Sequence, residues 1–355
     1  MAALVRLATV LISAVLAVGC GGPPPTATGE ATPGPRTPAG RQTEPVSEPT
    51  PAGPAATDAP DAPSSPPSGS VPAGRLPVGR LLFDSDRTDN LDVWYLEAGS
   101  AEATQVTSDP GSDRTSAWHP DGNSVIFSSD RLGGPSVPSG GALRAYGLFI
   151  ADLDGSADRH LLGARTFNSG AKYSPDGSQV AFNSDANETF QIFVVPADFQ
   201  PNRGIPGPLT TEHHNDGPDW SPDGLRIAFS SLRDENREIY VMDADGSNQL
   251  RLTDDPAADS SPVWSPDGSL IAFHSDRAGD RHIFVMNADG SDVRQLTSGE
   301  QRDGFPSWSP DGEWIAFDRT VTRDDLEILV MRLDGSELVN VTNNPARDAF
   351  PSWGP

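Results

Sequence analysis

The sequence predicts an all-β fold, a β-propeller of six blades with four antiparallel strands in each blade. One pentapeptide, Trp-Ser-Pro-Asp-Gly in its most regular form, recurs along the chain, and the aromatic residues that begin successive copies stand 55, 47, 44, 44 and 45 residues apart. A nearly fixed period of this size indicates stacked repeats. Each repeat holds four short runs rich in β-branched and aromatic residues, which is typical of strands. The copies begin at Trp118, Tyr173, Trp220, Trp264, Trp308 and Trp353.

The four strands of a repeat are placed by counting from this aromatic residue. A Phe nine positions later lies in the second apolar run, as Phe273 does in Leu270-Ile271-Ala272-Phe273. A third run follows, such as Ile283-Phe284-Val285-Met286, and the fourth strand ends at a Thr such as Thr297, fourteen residues past the start of the third run. The corresponding Phe residues of the other repeats are Phe127, Phe182, Phe229 and Phe317.

Turn chemistry separates the strands. In Ser265-Pro266-Asp267-Gly268, Pro presets φ at the second position and Gly stands last, which favours a type I turn between the first and second strands. Asn287-Ala288-Asp289-Gly290 predicts another turn between the third and fourth strands. A calcium loop of the EF-hand type is the alternative for these Asp-Gly segments, but it needs a third carboxylate, a distant Glu and flanking helices, which this pattern lacks.

The two ends of the repeat region predict how the ring closes. Before the first pentapeptide the sequence supplies a second strand at Leu81-Leu82-Phe83, a third at 93–96 and a fourth at 105–107, but no first strand. The segment Ala349-Phe350-Pro351-Ser352-Trp353 supplies the missing strand. We therefore expect six blades over residues 79–355, closed by the C-terminal strand.

The repeat resembles that of the TolB-type β-propellers, also called WD40-like or PD40 repeats. The resemblance rests on Trp-Ser-Pro-Asp-Gly, Ile-Ala-Phe, Ser275-Asp276-Arg277, Ile-Phe-Val-Met-Asn-Ala-Asp-Gly and Gln-Leu-Thr, and it covers residues 80–355. It implies the propeller fold. It implies less about function, because propellers of this kind stand alone, bind envelope partners or accompany a peptidase domain.

Residues 1–19 have the order of a lipoprotein signal peptide. Arg6 precedes an apolar stretch, and small residues precede Cys20, the sole cysteine. The stretch Leu16-Ala17-Val18-Gly19-Cys20 resembles a bacterial lipobox, with Ala17 where Leu is more usual. A chance cysteine in an ordinary cleaved signal is the alternative. Because an exported chain with one cysteine has no disulfide partner for it, we expect lipidation of Cys20.

Residues 20–78 form a predicted tether. They are rich in Pro, Ala, Ser, Thr and Gly and contain almost no large apolar residue. Such a composition cannot bury enough surface to offset the entropy of ordering. We expect a spacer that holds the propeller away from a membrane, in the periplasm or at the cell surface of a bacterial envelope.

The net charge restricts the partners. It is −25 for the whole chain, and about −24 of this falls on residues 79–355, whose only lysine is Lys172. A strongly acidic surface repels phosphate backbones and anionic lipids, which argues against a nucleic-acid partner. It is compatible with neutral glycans, cations or basic peptides, although solubility alone explains most of these charges.

A candidate site follows from the repeat geometry. The loop between the second and third strands and the connection into the next first strand must lie on one face of a four-stranded blade. Five positions before each aromatic residue, on that face, an Asp or Asn recurs, which predicts a ring at the channel mouth that binds a partner, a cationic group or a divalent cation. The alternative is that each residue caps the turn into its strand. The six residues are Asp113, Asn168, Asn215, Asp259, Asp303 and Asp348.

Catalytic motifs are not found in the sequence. It has no Gly-x-Ser-x-Gly, no His-Glu-x-x-His and no cysteine pair, and only His213 and His214 are adjacent among six histidines. The Ser-Asp-Arg steps are expected to organise the second hairpin. We therefore expect a monomeric, non-catalytic envelope lipoprotein that binds a protein, peptide or glycan at the channel mouth and needs no cofactor. The alternative is an envelope hydrolase or lyase that uses the acidic ring with His213 or His214.

Overall fold

Six sheets arranged as blades make up the described part of the chain. The computed structural model describes residues 79–100, 102–133, 145–154, 158–200, 204–322 and 325–355. In these residues there are 23 strands and no helix, so no helix there could span a membrane. The predicted all-β, six-bladed propeller is confirmed. The signal peptide and tether predicted for residues 1–78 lie outside the described residues.

Each blade is an antiparallel sheet whose strands run from the channel outward in chain order, except where the ring closes. Blade one holds β23 (Asp348–Gly354), β1 (Arg80–Ser85), β2 (Asp92–Glu97) and β3 (Thr104–Gln105). Blade two holds β4 (Asp113–Trp118), β5 (Ser124–Ser129), β6 (Gly147–Asp152) and β7 (Asp158–Leu162), and blade three holds β8 (Asn168–Tyr173), β9 (Gln179–Ser184) and β10 (Gln191–Pro196).

Blades four to six repeat the pattern with longer middle strands. Blade four holds β11 (Asn215–Trp220), β12 (Arg226–Asp234), β13 (Asn236–Asp243) and β14 (Leu250–Arg251). Blade five holds β15 (Asp259–Trp264), β16 (Leu270–Ala278), β17 (Asp280–Asn287) and β18 (Arg294–Gln295). Blade six holds β19 (Asp303–Trp308), β20 (Trp314–Thr322), β21 (Asp325–Arg332) and β22 (Val339–Asn340).

Blade three differs from the prediction at its outer edge, where the described residues form three strands. The segment that would form the fourth strand keeps one backbone hydrogen bond, from Leu209 to the carbonyl of Ile192 at 2.7 Å. Pro206 and Pro208 precede it. Because proline has no backbone N–H, this segment cannot supply a regular ladder.

The turns behave as the sequence predicts. In blade five Gly268 donates its N–H to the carbonyl of Ser265 at 2.9 Å and has φ +72°, while the Ser265 hydroxyl bonds the Asp267 carboxylate at 2.7 Å. The fourth-strand threonine also has a role, since Thr297 Oγ1 accepts the N–H of Ile283 at 2.9 Å. This threonine therefore fixes the outer strand to the third strand.

The hydrophobic core lies between neighbouring blades. Six clusters of buried residues occur, one at each blade interface. The second-strand Phe residues are fully buried, and burying each one stabilises the fold by roughly 1.5–3 kcal/mol. They are Phe83, Phe127, Phe182, Phe229, Phe273 and Phe317.

The predicted ring closure is confirmed. β23 pairs with β1, with Leu81 opposite Trp353 and Ser85 opposite Asp348. The Trp118 indole of blade two donates to the carbonyl of Ser352 at 3.0 Å and packs on Gly354, where an added Cβ would lie 2.4 Å from the ring. The C-terminal strand therefore completes blade one and also contacts blade two.

Candidate functional site

The predicted ring residues occupy equivalent positions in the structure. Each is the first residue of the innermost strand of its blade, and each is fully buried. Their strands begin on one face, where the connections between second and third strands also lie. Asp113, Asn168, Asn215, Asp259, Asp303 and Asp348 therefore surround the channel at one depth below its mouth, without reaching solvent.

The carboxylates of this ring face arginines rather than one another. Asp303 accepts two bonds from Arg319, at 2.6 and 2.9 Å, and Asp259 accepts one from Arg277 at 2.7 Å. Each arginine belongs to the second hairpin of the same blade, at or equivalent to the Ser-Asp-Arg step. The same pairing joins Asp113 to Arg131 and Asp348 to Arg87. Each of these four carboxylates is thus opposed by an arginine of its own blade.

The pKa values of three of these carboxyl groups differ with the number of oxygens that the arginine bonds. Burial raises the pKa of Asp113 to about 7 and also raises the pKa of Asp259, and one oxygen of each pairs with its arginine. Burial also opposes ionisation of Asp303, but the two bonds from Arg319 and the nearby His282, whose Nδ1 lies 3.6 Å from Oδ2, outweigh it and hold its pKa below the usual value. Asp303 is held through both oxygens by two different guanidinium nitrogens, whereas Arg87 bonds both oxygens of Asp348 from Nη2 alone.

The two asparagines occupy environments that a carboxylate would not suit. Asn215 donates to Gln191 Oε1 at 2.9 Å and to the carbonyl of Glu212 at 2.7 Å, and Arg233 donates to its Oδ1 at 3.3 Å. Asn168 donates to the carbonyl of Tyr146 at 2.8 Å. Because a side-chain N–H is needed at both positions, Asn is used there in place of Asp.

A second polar ring was missed by the sequence analysis. The residue after each buried second-strand Phe is polar, and five of the six accept a backbone N–H from the innermost strand of the following blade. Asp84 accepts from Thr115 at 2.6 Å, and Asp318 accepts from Phe350 at 3.3 Å. The six are Asp84, Ser128, Asn183, Ser230, His274 and Asp318, with Ser128 bonding Thr115 Oγ1 instead. Their fixed offset from the Phe was the available signal.

At two acids of this second ring, burial outweighs the hydrogen bonds and opposing charges that favour the ionised form. Burial raises the pKa of Asp84 to about 8 and that of Asp318 to about 6, against hydrogen bonds from the backbone and the opposing charges of nearby arginines. Arg114 and Arg347 face Asp84, and Arg281 and Arg347 face Asp318. One oxygen of each acid has no hydrogen-bond partner in the structure.

Aromatic and arginine side chains lie beside both rings near the mouth. Tyr146 contacts Phe167 with ring centroids 4.9 Å apart, Phe167 contacts Phe190 at 5.6 Å, and Phe190 contacts His214 at 5.0 Å. On the opposite side Phe305 and Phe350 meet edge to face at 4.4 Å. We call these residues and the adjacent charged ones the collar: Arg114, Tyr146, Phe167, Phe190, His214, Asp216, Arg237, Arg281, Arg302, Phe305, Arg347 and Phe350.

The adjacent histidines His213 and His214 have different environments at the mouth. His214 bonds the Asp216 carboxylate at 2.8 Å, and Arg237 holds the same carboxylate at 2.5 Å, while His213 is exposed. No group of three His, Cys, Asp or Glu side chains in this part of the chain is arranged to hold a metal ion. His214 thus forms part of an ion-pair network at the mouth.

These features define a closed six-bladed β-propeller with one elaborated face, where buried polar rings support a collar of aromatic and arginine side chains. The family model for the TolB beta propeller domain (PD40) matches residues 144–355. Because the match spans more than half of the chain, the protein belongs to the TolB β-propeller family, as the sequence resemblance implied.

Solved structures agree on the fold. TolB from Acinetobacter baumannii is 20% identical with a TM-score of 0.66, over 78% of this chain and 67% of that chain. A protein from Agrobacterium tumefaciens assigned to TolB is 22% identical with a TM-score of 0.59, over 78% and 99%. A chain of a nidogen–laminin complex is 14% identical with a TM-score of 0.59, over 78% and 98%. At these identities the similarity establishes the fold alone.

Proposed function

We propose that this protein is a non-catalytic, extracytoplasmic propeller that binds a protein or glycan partner of the cell envelope at the channel mouth. The observation that carries the proposal is the difference between the polar rings and the collar. The rings are buried and bonded to neighbouring strands, whereas several collar side chains are partly exposed, among them Phe305, Phe350 and Arg347. Partly exposed aromatic and arginine side chains are the types enriched in binding sites.

The ring residues predicted from the sequence would support this site by holding arginines of the hairpins that form it. Asp303 and Asp348 hold arginines of the second hairpins, and these hairpins carry the connections that form the mouth. Family membership and the occurrence of the same fold in a nidogen–laminin complex both support binding of a protein partner. A divalent cation remains a weaker proposal for the channel, because the arginines already oppose the carboxylates.

The experiment is capture of partners from the solubilised native envelope by the purified full chain. A partner that binds at the mouth should be lost with Arg302→Ala, in the collar, and retained with Arg294→Ala, which removes the same side chain from the outermost strand of blade five. Equal capture by both variants would exclude the mouth as the site. Turnover of envelope polysaccharide or peptide libraries by the purified protein would favour a hydrolase or lyase instead.

We further propose that the protein is a monomer anchored through lipidated Cys20, with residues 20–78 as the spacer. A lipid chain contributes about 0.8 kcal/mol per buried CH₂ group. Cys20→Ser should therefore move the protein from the detergent phase to the aqueous phase in phase-partition experiments. A variant that still fractionates with membranes would show that another segment holds it there, and light scattering of the soluble variant would test the monomer.

A further inference from the structure

We propose that the collar recognises the acidic side chains of a peptide segment, with Arg114, Arg302 and Arg347 as the groups that bind them. The inference rests on the proposed binding at the mouth and names the chemistry of the partner. It differs from the expectation from net charge, which is compatible with neutral glycans, cations or basic peptides.

The first argument is the concentration of cationic groups at the mouth of an acidic protein. Residues 79–355 carry a net charge of about −24, yet five arginines belong to the collar. Burial lowers the pKa of Arg281, and the positive charge of Arg302 lowers it further, so these two guanidinium groups lie close enough to repel each other. Their charges also combine with burial to lower the pKa of His274 well below its usual value, so this imidazole is neutral at pH 7.

The second argument is that three of the five collar arginines have no acid paired with them in the described part of the chain. Arg237 is held by Asp216, and Arg281 lies 3.9 Å from Asp318. Among the described residues, no carboxylate oxygen lies within 4.0 Å of the guanidinium groups of the remaining three arginines. Asp84 is the acid whose charge opposes both Arg114 and Arg347, and burial raises its pKa to about 8, which weakens its negative charge near pH 7. Asp318, with a pKa raised to about 6, keeps most of its charge at that pH and opposes Arg281 as well as Arg347.

The third argument is that one arginine donor is already buried without a partner. Arg114 Nη2 donates to Ser112 Oγ at 3.0 Å, but among the described residues its Nε has no hydrogen-bond partner, and it is not exposed to solvent there. The guanidinium lies over the Tyr146 ring, 4.9 Å from its centroid. A buried donor without a partner is costly, and a planar carboxylate presented to the guanidinium would satisfy it.

The aromatic geometry favours a peptide over an acidic glycan. Sugars stack on open ring faces, but Phe305 and Phe350 meet edge to face. Arg281 lies over the first ring at 5.5 Å from the centroid, and Arg347 lies over the second at 5.9 Å. These rings therefore present edges and partly covered faces, which suit apolar side chains next to acidic ones.

In five of the six blades the described innermost strand has no free backbone donor for a ligand at this level. The residues that bend inward have positive φ, as Phe350 does at 55°, and their N–H groups bond the preceding blade. Phe305 and Ser261 are engaged in the same way by His274 and Ser230. Because strand addition is not available there, recognition depends on side chains, and arginine is the side chain that pairs with carboxylates in a bidentate manner.

The test is binding of fluorescent peptides to the purified full chain. A short peptide bearing Glu and Phe should bind more tightly at low salt, and its Gln isostere should bind about tenfold more weakly. Arg302→Ala combined with Arg347→Ala should weaken binding of the acidic peptide by about tenfold or more, whereas Arg294→Ala should leave it unchanged. Circular dichroism of each variant checks that the propeller is intact.

Several outcomes would overturn the inference. It fails if the Gln isostere or a Lys peptide binds as tightly as the acidic peptide, or if only an oligouronate binds. It also fails if calorimetry shows that calcium binds to the protein and the acidic peptide does not. If an envelope partner is captured through Arg302 but the acidic peptide does not compete with it, the proposed function stands and the inference fails. If neither partner nor peptide binds, both are wrong.

Discussion

Replacing Asp303 with Asn is expected to destabilise the propeller, even though Asn occupies the equivalent position in blades three and four. The Asp303 carboxylate is fully buried and accepts bonds from Arg319 Nε and Nη2 at 2.6 and 2.9 Å. An amide in its place keeps one acceptor oxygen but directs its NH₂ group toward guanidinium donors or toward His282. The substitution therefore removes a charge and sets donor against donor.

The size of the effect follows from this geometry. A hydrogen bond to a charged group stabilises a protein by roughly 1.5–3 kcal/mol, and breaking a buried ion pair costs about 3–5 kcal/mol. Because Asn retains one of the two bonds, we expect a loss of about 2–4 kcal/mol. The Arg319 side chain is only 12% exposed, so water cannot replace much of this interaction.

Urea unfolding of the purified protein measures the effect as a fall in the midpoint at constant slope. The matched control is Asp311→Asn, the same change at an exposed turn of the same blade, which should cost less than about 1 kcal/mol. The difference between wild type and Asp303→Asn should shrink at low pH. The folded-state pKa of Asp303 is depressed, so its contribution is present above the unfolded pKa and is lost as the pH falls through the folded value.

The reciprocal change, Asn215→Asp, should also destabilise, by about 1–3 kcal/mol. It would place carboxylate oxygens against Gln191 Oε1 and the carbonyl of Glu212, which now accept bonds from the Asn215 amide. The two changes lie in different blades with no shared partner, so their effects should add. The reasoning is refuted if Asp303→Asn unfolds at the wild-type midpoint, because Asp and Asn would then serve as interchangeable caps.

Two further outcomes are expected. Asp84→Asn should flatten the pH dependence of stability, because burial raises the folded pKa of Asp84 from 3.8 to about 8 against the opposing charges of Arg114 and Arg347. Between these two values the folded state holds an extra proton, so the free energy of unfolding falls as the pH rises. If urea unfolding at several pH values gave the variant the same change of stability with pH as the wild type, this would be contradicted. Deleting residues 348–355 should expose the inner edge of β1 and promote aggregation, and an equal melting temperature for the truncated and full chains would be incompatible with the closed ring.

Much of the fold was predictable because the blade is a local unit. The aromatic residue, the turn after it and the buried Phe lie within ten residues of one another, as Trp264, Gly268 and Phe273 do, so sequence spacing alone places them. Closure was also predictable, because a first strand was missing at one end of the repeats and present at the other. The fourth strand of blade three was predicted less well, since prolines remove the donors that a ladder needs.

The repeat spacing by itself also placed Asp113, Asp303 and their equivalents at one depth around the axis, because the same offset recurs in every blade. Only the tertiary structure decided what these side chains face. The arginine that meets each carboxylate comes from the second hairpin of its blade, and the acceptor ring, with Asp84 and Asp318, bonds the neighbouring blade. Charge composition describes the average surface, whereas the collar gathers its arginines from segments far apart in the chain. Contacts of that kind depend on how the blades pack side by side, which no local pattern contains.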